Sequence, residues 1–243
     1  MLKKALVTGS AKGIGRAIAL QLAEDGFDVA FHYRNSANAA QQACQQATQF
    51  GVRAIALQAD ITQPEQATAL VEQTVDQLGG LSVVVNAVGD YLRQRTSQIT
   101  VDQWHGVISS NLHSAFYITQ TAIPHLKTAQ WGRIINIAVA GAQNVTACKL
   151  STAYILAKTG VIIYTKSLAQ ELITDNITAN VVAPGIAENS FEYEDDWEHG
   201  IPDIPAGRPA QLSEIAHAIS FLIKPESDYI TGQILEIAGG WNL

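Results

Sequence analysis

The sequence has little positive charge and no long apolar run. Its 243 residues contain 15 Lys and Arg against 22 Asp and Glu, which gives a net charge of −7. No basic cluster is present, so the composition argues against binding to nucleic acid or to an anionic membrane surface. No apolar run approaches the roughly 18 residues of a transmembrane helix, and Met1-Leu-Lys-Lys leads directly into a strand-like segment, so we expect neither a membrane span nor a signal peptide.

Cysteine is scarce as well, since Cys44 and Cys148 are the only two. This pair fits a reducing compartment and indicates neither a disulfide nor a metal site. We therefore expect a cytoplasmic protein that holds no metal and acts on a small molecule.

Short apolar runs alternate with helix-length segments along the whole chain. With 47% hydrophobic residues the chain can bury a full core, and the alternation predicts one α/β domain over residues 1–243. Right-handed crossovers then give a Rossmann-type doubly wound parallel sheet with helices on both faces, and its ligand lies at the carboxyl ends of the strands. The strand-like runs are Ala5–Thr8, Phe27–Tyr33, Leu81–Val85, Arg133–Ile137, Ala179–Val182 and Ile234–Ile237.

Three segments carry helix signals. Asn38–Gln49 is rich in Ala and Gln and is interpreted as a surface helix. Thr62-x-x-Glu65 and Thr100-x-x-Gln103 have the spacing of capping boxes, in which the two side chains satisfy free backbone N–H groups at a helix start. We expect a helix to begin at each.

A glycine-rich turn, Gly9-Ser10-Ala11-Lys12-Gly13-Ile14-Gly15, follows the first strand. Ile14, Ile18 and Leu22 then recur at helical spacing, so the order is strand, turn and helix. Such glycines allow a tight turn and let the backbone approach a pyrophosphate at a helix N-terminus. The turn therefore predicts a dinucleotide site.

The end of the second strand indicates which dinucleotide is bound. An NAD site offers an acid about 20 residues after the glycines to hold the ribose 2′-hydroxyl. This chain has Tyr33 and Arg34 there, and Lys12 lies inside the turn. Two cations without an acid favour a 2′-phosphate, so we expect NADP(H).

Tyr154 and Lys158 have the i, i+4 spacing that places two side chains on one face of a helix, with Cβ atoms about 5–6 Å apart. A fixed ammonium at that distance stabilises a phenolate and lowers the tyrosine pKa. A tyrosine tuned in this way can give a proton to a developing alkoxide. Following a dinucleotide turn, the pair indicates a hydride-transfer enzyme.

From Lys4 to about Gly240 these features resemble the short-chain dehydrogenase/reductase family. The resemblance implies that Tyr154, Lys158 and Asn111 are catalytic, Asn111 holding a water on Lys158. It adds Asp60 and Ile61 near adenine, Asn86-Ala87-Val88-Gly89 after a strand, and Pro184-Gly185 beside the nicotinamide. The expected cofactor contacts are Gly9, Ser10, Lys12, Gly13, Ile14, Gly15, Tyr33, Arg34, Asp60, Ile61, Asn86, Ala87, Gly89, Tyr154, Lys158, Pro184, Gly185 and Asn189.

One departure from the family pattern removes a hydrogen-bond donor. The family has a serine after the strand that precedes the catalytic helix, and its hydroxyl donates to the substrate oxygen. This chain has Ala138 and Val139 there. Losing such a donor costs about 2.7–4 kcal/mol, so another group replaces it or the chemistry needs it less. The candidates are Asp90, Tyr91, Gln143, Asn144, Thr146, Cys148 and Ser151.

A second departure lies at Asn189, where the family has a threonine that binds the carboxamide; asparagine also carries a donor and an acceptor. The segment from about 187 to 211 is expected to form the substrate lid. Its acidic part, Phe191–His199, would disfavour an anionic substrate and would offer aromatic rings to a neutral or cationic heterocycle.

Three functions remain open. The first is an NADPH-dependent reductase of small ketones or 3-oxoacyl groups, although positions that are basic in the acyl-carrier enzymes appear here as Gln130 and Asp175. The second is a pteridine- or dihydrofolate-type reductase, which the His32-Tyr33-Arg34-Asn35-Ser36 segment resembles and in which the same serine is also replaced, though by Asp. The third is an NADPH-binding protein with a decayed site. Retention of Asn111, Tyr154 and Lys158 argues against the third.

The chain is also expected to assemble. The stretches Ser114–Leu126 and Thr152–Leu172 have apolar residues on more than one side, and Gly240-Trp-Asn-Leu243 ends on large apolar groups. The family resemblance implies a homotetramer with two-fold axes, with a dimer as the alternative.

Overall fold

The computed structural model of the chain describes residues 2–189 and 203–241. The acidic stretch Phe191–His199 and the terminal Asn242 and Leu243 lie outside the described residues. Seven parallel strands form one sheet in the order β3-β2-β1-β4-β5-β6-β7. The chain therefore winds first to one side of β1 and then to the other, which is the doubly wound arrangement predicted from the sequence.

The strands are short and mostly buried. They are β1 Lys4–Val7, β2 Asp28–Tyr33, β3 Ala54–Gln58, β4 Val83–Asn86, β5 Gly132–Ile137, β6 Ile177–Pro184 and β7 Ile234–Ile237. All six predicted strands are present within a few residues of their expected bounds, whereas β3 was missed. It is an edge strand whose residues are mostly only half-buried, and an apolar run as short as Ala-Ile-Ala-Leu cannot be told from a helix segment by pattern alone.

Seven helices of at least two turns connect the strands within the described part of the chain. They are α1 Gly13–Glu24, α2 Ala37–Thr48, α3 Pro64–Leu78, α4 Val101–Ile108, α5 Ser114–Thr128, α6 Thr152–Leu172 and α7 Leu212–Ile223. The capping box at Thr100 and Gln103 is confirmed. The one expected at Thr62 is wrong: Gln63 is the N-cap, Pro64 begins the helix, and the Thr62 hydroxyl donates to Asp60 instead.

The two faces of the sheet carry separate apolar layers. Val7 points to the layer formed with α1 and α7, and Leu6 points to the layer formed with α3, α5 and α6, because side chains alternate along a strand. No helix in residues 2–189 or 203–241 has the length and apolar character needed to cross a bilayer.

Candidate active site

The glycine turn connects β1 to α1 and is built for close contact. Gly13 has a φ of +53°, and a Cβ on Gly15 would lie 2.4 Å from the carbonyl oxygen of Gly9. Glycine adopts the positive φ without strain at the first position and alone leaves room for the close contact at the second. No side chain caps α1 at Lys12, and its first turn contains no acid. The free N–H groups at the start of α1 therefore suit a phosphate, as the sequence predicted.

His32 holds this turn in place, a role that the sequence did not reveal. The Gly9 N–H donates to His32 Nδ1 over 2.9 Å, and His32 Nε2 lies 3.1 Å from the Ala59 carbonyl oxygen. Ser10 is also structural, because its hydroxyl donates to the Val7 carbonyl and accepts from the His32 N–H. Burial lowers the pKa of His32 to about 4. The ring is neutral at physiological pH and joins the turn to the end of β3.

A cleft of about 480 Å³ opens beside the turn. It is lined by Lys12, Asn35, Ser36, Ala37, Asn38, Ala39 and Gln42. No side chain caps the start of α2 at Ser36, so its N-terminus adds free donors to the same cleft. Apart from Lys12, these lining residues were not among the predicted contacts; the polar run that follows Arg34 was the available signal.

The charge of Arg34 acts beside this cleft, on the Asp60 side. Burial alone would raise the pKa of Asp60, but hydrogen bonds from Thr62 and the charge of Arg34 lower it below its usual value. Tyr33 pairs with Gln58 in the sheet, and Ile61 is buried next to Asp60. The residues expected around the adenosine half of the cofactor therefore lie together.

The segment after β4 closes the other side of the turn. The Ala87 N–H donates to the Thr8 hydroxyl over 3.0 Å. Asn86 directs its amide inward, where Nδ2 donates to Asn136 and to Thr119 at 2.8 and 3.0 Å. A contact of Asn86 with the cofactor would thus come through its backbone, while its side chain ties β4 to β5 and α5.

Asn111 lies in a single π-helical turn, Ser109–His113, between α4 and α5. Such turns frequently occur at functional sites. Its Nδ2 donates to the carbonyl oxygens of Asp90 and Val107, whereas its buried Oδ1 has no hydrogen-bond partner among the described residues. A Cβ on Gly89 would lie 2.2 Å from Asn111 Oδ1 and 2.9 Å from Lys158 Nζ. The free oxygen and the ammonium therefore meet at Gly89.

Tyr154 and Lys158 lie one turn apart on α6, as the spacing predicted. Lys158 Nζ donates to the Ile137 carbonyl over 2.9 Å and lies 5.6 Å from the centre of the Tyr154 ring. Burial lowers the pKa of Lys158 to about 8. The expected lowering of the tyrosine pKa is not found, because burial raises the pKa of Tyr154 and the Tyr91 phenol raises it further. Tyr154 is therefore a protonated donor at neutral pH.

Tyr91 and Ser151 adjoin this pair. The rings of Tyr91 and Tyr154 meet edge to face with centroids 5.1 Å apart, and the Tyr91 hydroxyl lies 3.0 Å from Ser151 Oγ. Of the other residues considered as replacements for the missing serine, Asp90, Gln143, Asn144 and Thr146 are exposed, and Cys148 is partly buried.

The segment after β6 returns over the glycine turn. A Cβ on Gly13 would lie 3.0 Å from Asn189 Nδ2, and the buried Asn189 Oδ1 has no partner among the described residues. Gly185 packs against Ala238, since a Cβ there would lie 3.0 Å from its Cα. The two ends of the expected lid are joined at Ala187 and Ala210.

One end of the sheet carries the glycine turn, the uncapped start of α1 and two buried amide oxygens without a partner among the described residues, Oδ1 of Asn111 and Oδ1 of Asn189. These features fit a dinucleotide. Among residues 2–189 and 203–241 no group of three or more His, Cys, Asp and Glu could hold a metal ion.

Comparison with known proteins is consistent with this geometry. Residues 9–242 match a family model described as Enoyl-(Acyl carrier protein) reductase. The 3-oxoacyl-(acyl-carrier-protein) reductase of Staphylococcus aureus is 36% identical over 99% of this chain and 98% of its own length. The crystal structure of an acetoin dehydrogenase from Salmonella typhimurium superposes with a TM-score of 0.88 at 35% identity, covering 99% of this chain and 96% of that one. An acetoin dehydrogenase from Enterobacter cloacae gives a TM-score of 0.90 at 32% identity, over 99% and 96% of the two chains.

Proposed function

The chain belongs to the short-chain dehydrogenase/reductase family of oxidoreductases, and we propose from this that it is an NADPH-dependent reductase of a small carbonyl substrate, either a simple ketone or a 3-oxoacyl group. The observation that carries the proposal is that Asn111 Oδ1 and Lys158 Nζ meet at Gly89, with the Tyr154 ring centre 5.6 Å from Lys158 Nζ. A proton donor, a cation and a free amide oxygen then lie where the strands end.

The cleft beside the glycine turn favours NADPH over NADH as the cofactor. Lys12 lines it, the start of α2 adds backbone donors, and Arg34 flanks it. Within the described residues the cleft lining contains no carboxylate that would repel a 2′-phosphate. Gly13 and Asn189 would hold the rest of the cofactor, and Asn189 could use its free oxygen to accept from an amide.

The chemistry divides between the cofactor and the side chains. When bound, the reduced nicotinamide supplies the hydride. Tyr154, kept protonated by burial, gives a proton to the substrate oxygen as negative charge develops on it. Lys158 places its charge beside the Tyr154 ring and stabilises the phenolate that remains. Asn111 Oδ1 would hold a water that connects Lys158 to solvent, and the proton that Tyr154 gives up is replaced along this route.

The substrate is better described as a small ketone than as a carrier-bound acyl chain. Both kinds of activity are named among the relatives, one as a reductase of 3-oxoacyl carrier protein and others as acetoin dehydrogenases. At the surface where an acidic carrier would need cations, Asp175 forms an ion pair with Lys127 over 2.8 Å, and Gln130 is neutral. That surface offers an acidic carrier little attraction.

One of the observations that favoured a pteridine- or dihydrofolate-type reductase has another explanation in the structure. It depended partly on the segment from His32 to Ser36, but the His32 side chain is buried and holds Gly9. Its remaining support is the absence of a hydroxyl at Ala138 and Val139, and the decayed-site alternative has the same support.

Assembly as a homotetramer, with a dimer as the alternative, stays part of the proposal. Large apolar side chains are exposed on α5, α6 and α7: Phe116 is 44% exposed, Ile163 62% and Phe221 50%. Large exposed apolar patches often mark contacts with another subunit.

A parallel assay tests the proposed activity. NADPH oxidation is followed at one protein concentration with a 3-oxoacyl thioester, a small diketone, a dihydropterin and dihydrofolate. Turnover of the diketone or the thioester supports the proposal, turnover of only the last two favours the pteridine alternative, and no turnover favours a decayed site.

A further inference from the structure

The first two residues after β5, Ala138 and Val139, provide no hydroxyl that could donate a hydrogen bond to the substrate oxygen. Ala138 is 3% exposed and packs into a small apolar cluster with Ile162 and Val181, and the adjacent Val139 packs against the same cluster. Tyr154 alone would then face the developing alkoxide. Carbonyl reduction places negative charge on that oxygen, and removing one of two donors there slows such reactions by about 10²–10³.

Tyr91 brings a second hydroxyl to the same wall of the site. It follows β4 and reaches the catalytic helix, where its ring meets the Tyr154 ring at 86° with centroids 5.1 Å apart. Tyr91 is 56% exposed, so its phenol is accessible to a ligand. Burial raises the pKa of Tyr154, and the neighbouring Tyr91 phenol raises it further.

Ser151 explains how this hydroxyl is aimed. It is the N-cap residue of α6, three positions before Tyr154, which puts both on one helix face. Its hydroxyl does not cap the helix, although it is 6% exposed, and it lies 3.0 Å from the Tyr91 oxygen. A serine hydroxyl can donate to that oxygen and so leave the Tyr91 O–H free to point elsewhere.

The segment that carries Tyr91 is fixed on both sides. Asn111 Nδ2 donates to the Asp90 carbonyl over 3.0 Å, immediately before Tyr91. Further along, the Gln94 and Thr96 N–H groups donate to the carbonyl oxygens of Leu150 and Lys149. Tyr91 is thus held between the π-helical turn and the segment preceding α6, which limits the reorganisation needed to place its hydroxyl.

We propose that the Tyr91 hydroxyl, oriented by Ser151, is the second hydrogen-bond donor to the substrate oxygen and takes the place of the serine missing at Ala138 and Val139. This inference rests on the proposed reductase function. Tyr91 donates a hydrogen bond and keeps its proton, while Tyr154 transfers the proton that completes the alcohol. Tyr91 is therefore a catalytic residue, and Ser151 is a positioning residue.

Tyr91→Phe tests the proposal because it keeps the ring that contacts Tyr154 and removes only the hydroxyl. We expect kcat for carbonyl reduction to fall about 10²–10³-fold, with the NADPH dissociation constant and the melting temperature unchanged. Adding Val139→Ser should restore most of the lost rate, and the same serine in the otherwise unchanged enzyme should have little effect. Ser151→Ala should lower kcat more than it changes KM, and Ser151→Thr should recover the rate.

Three results would overturn the inference. Tyr91→Phe with nearly full kcat, beside an inactive Tyr154→Phe, refutes the second donor and leaves the reductase function standing. A rate loss matched by an equal loss of NADPH affinity or of thermal stability would mark Tyr91 as structural. An unchanged enzyme that reduces no carbonyl would refute both proposals together.

Discussion

His32 accepts a hydrogen bond from the Gly9 backbone through Nδ1, while its Nε2 lies 3.1 Å from the Ala59 carbonyl oxygen. A backbone N–H can only donate, so Nδ1 carries no proton and the Nε2 hydrogen points to Ala59. The imidazole therefore connects the cofactor turn to the end of β3 only while it is neutral. Burial favours that form by lowering its pKa to about 4.

This arrangement predicts a loss of stability in mild acid. The pKa of His32 is about 4 in the folded protein and about 6.5 in the unfolded chain, so between these values the unfolded chain binds more protons. The free energy of unfolding contributed by His32 is complete above pH 6.5 and is lost as the pH falls towards 4. Urea titrations at pH 7 and 4.5 measure the free energy of unfolding. Its decrease between the two pH values should be larger for the wild type than for His32→Asn, which keeps a hydrogen-bond acceptor and does not titrate. Equal losses would contradict this role.

The cleft beside Lys12 predicts the cofactor preference. NADPH should bind at least tenfold more tightly than NADH, a difference of about 1.4 kcal/mol. Lys12→Ala should weaken NADPH and leave NADH nearly unchanged, and Arg34→Asp should reverse the preference by adding repulsion to the lost attraction. Fluorescence titration at physiological salt measures both constants. Equal affinities of the unchanged protein for the two cofactors would refute the assignment.

The sheet was predictable because its central strands are buried on both faces and appear as apolar runs, β5 Gly132–Ile137 being buried throughout. The edge strand β3 could not be predicted in this way, since its short Ala-Ile-Ala-Leu-Gln segment faces solvent in part. The start of α3 was misplaced because the Thr62 hydroxyl donates a hydrogen bond to Asp60 and does not cap the helix. The spacing of the residues alone does not show this hydrogen bond.

In the site, residues that act through a local motif could be predicted, such as the glycine turn and the pair on α6. The role of His32 could not, because it depends on a contact between residues 23 positions apart in the sequence. Tyr91 and Ser151 were among the seven candidates named from the sequence, but their contact across 60 positions could not be predicted, because it depends on tertiary packing. The direction of the Tyr154 pKa shift was misjudged, since burial, which the spacing does not report, has the largest effect on it.

Exposed apolar groups predict an oligomer. Ile163 on α6 is 62% exposed, and Ile163→Asp should place a charge in a subunit interface and shift the protein towards smaller species. Phe50, 47% exposed at the end of α2, provides the control, and Phe50→Asp should leave assembly intact. Sedimentation velocity resolves the species. An unchanged protein that is monomeric at micromolar concentration would contradict the expectation.

Burial of Lys158 predicts the alkaline limb of the pH profile. Its pKa of about 8 means that the ammonium loses its proton as the pH rises through this value, and the charge beside Tyr154 disappears. The kcat/KM for carbonyl reduction should therefore fall above about pH 8. The Lys158→Arg variant keeps its charge at high pH, so any activity that it retains should not show this alkaline fall. The Lys166→Arg variant, changed on the same helix, should still show it. A flat profile to pH 9.5 in the unchanged enzyme would exclude Lys158 as the titrating group.

The central claim is that Tyr154 gives the proton in an NADPH-dependent reduction. It is tested most directly by single-turnover oxidation of bound NADPH with the best carbonyl substrate, comparing the unchanged enzyme with Tyr154→Phe. We predict that the variant binds NADPH with nearly the same affinity and reduces the substrate about 10²–10⁴ times more slowly, the range lost with a general acid. A Tyr154→Phe enzyme that oxidises NADPH at the full rate would contradict the account.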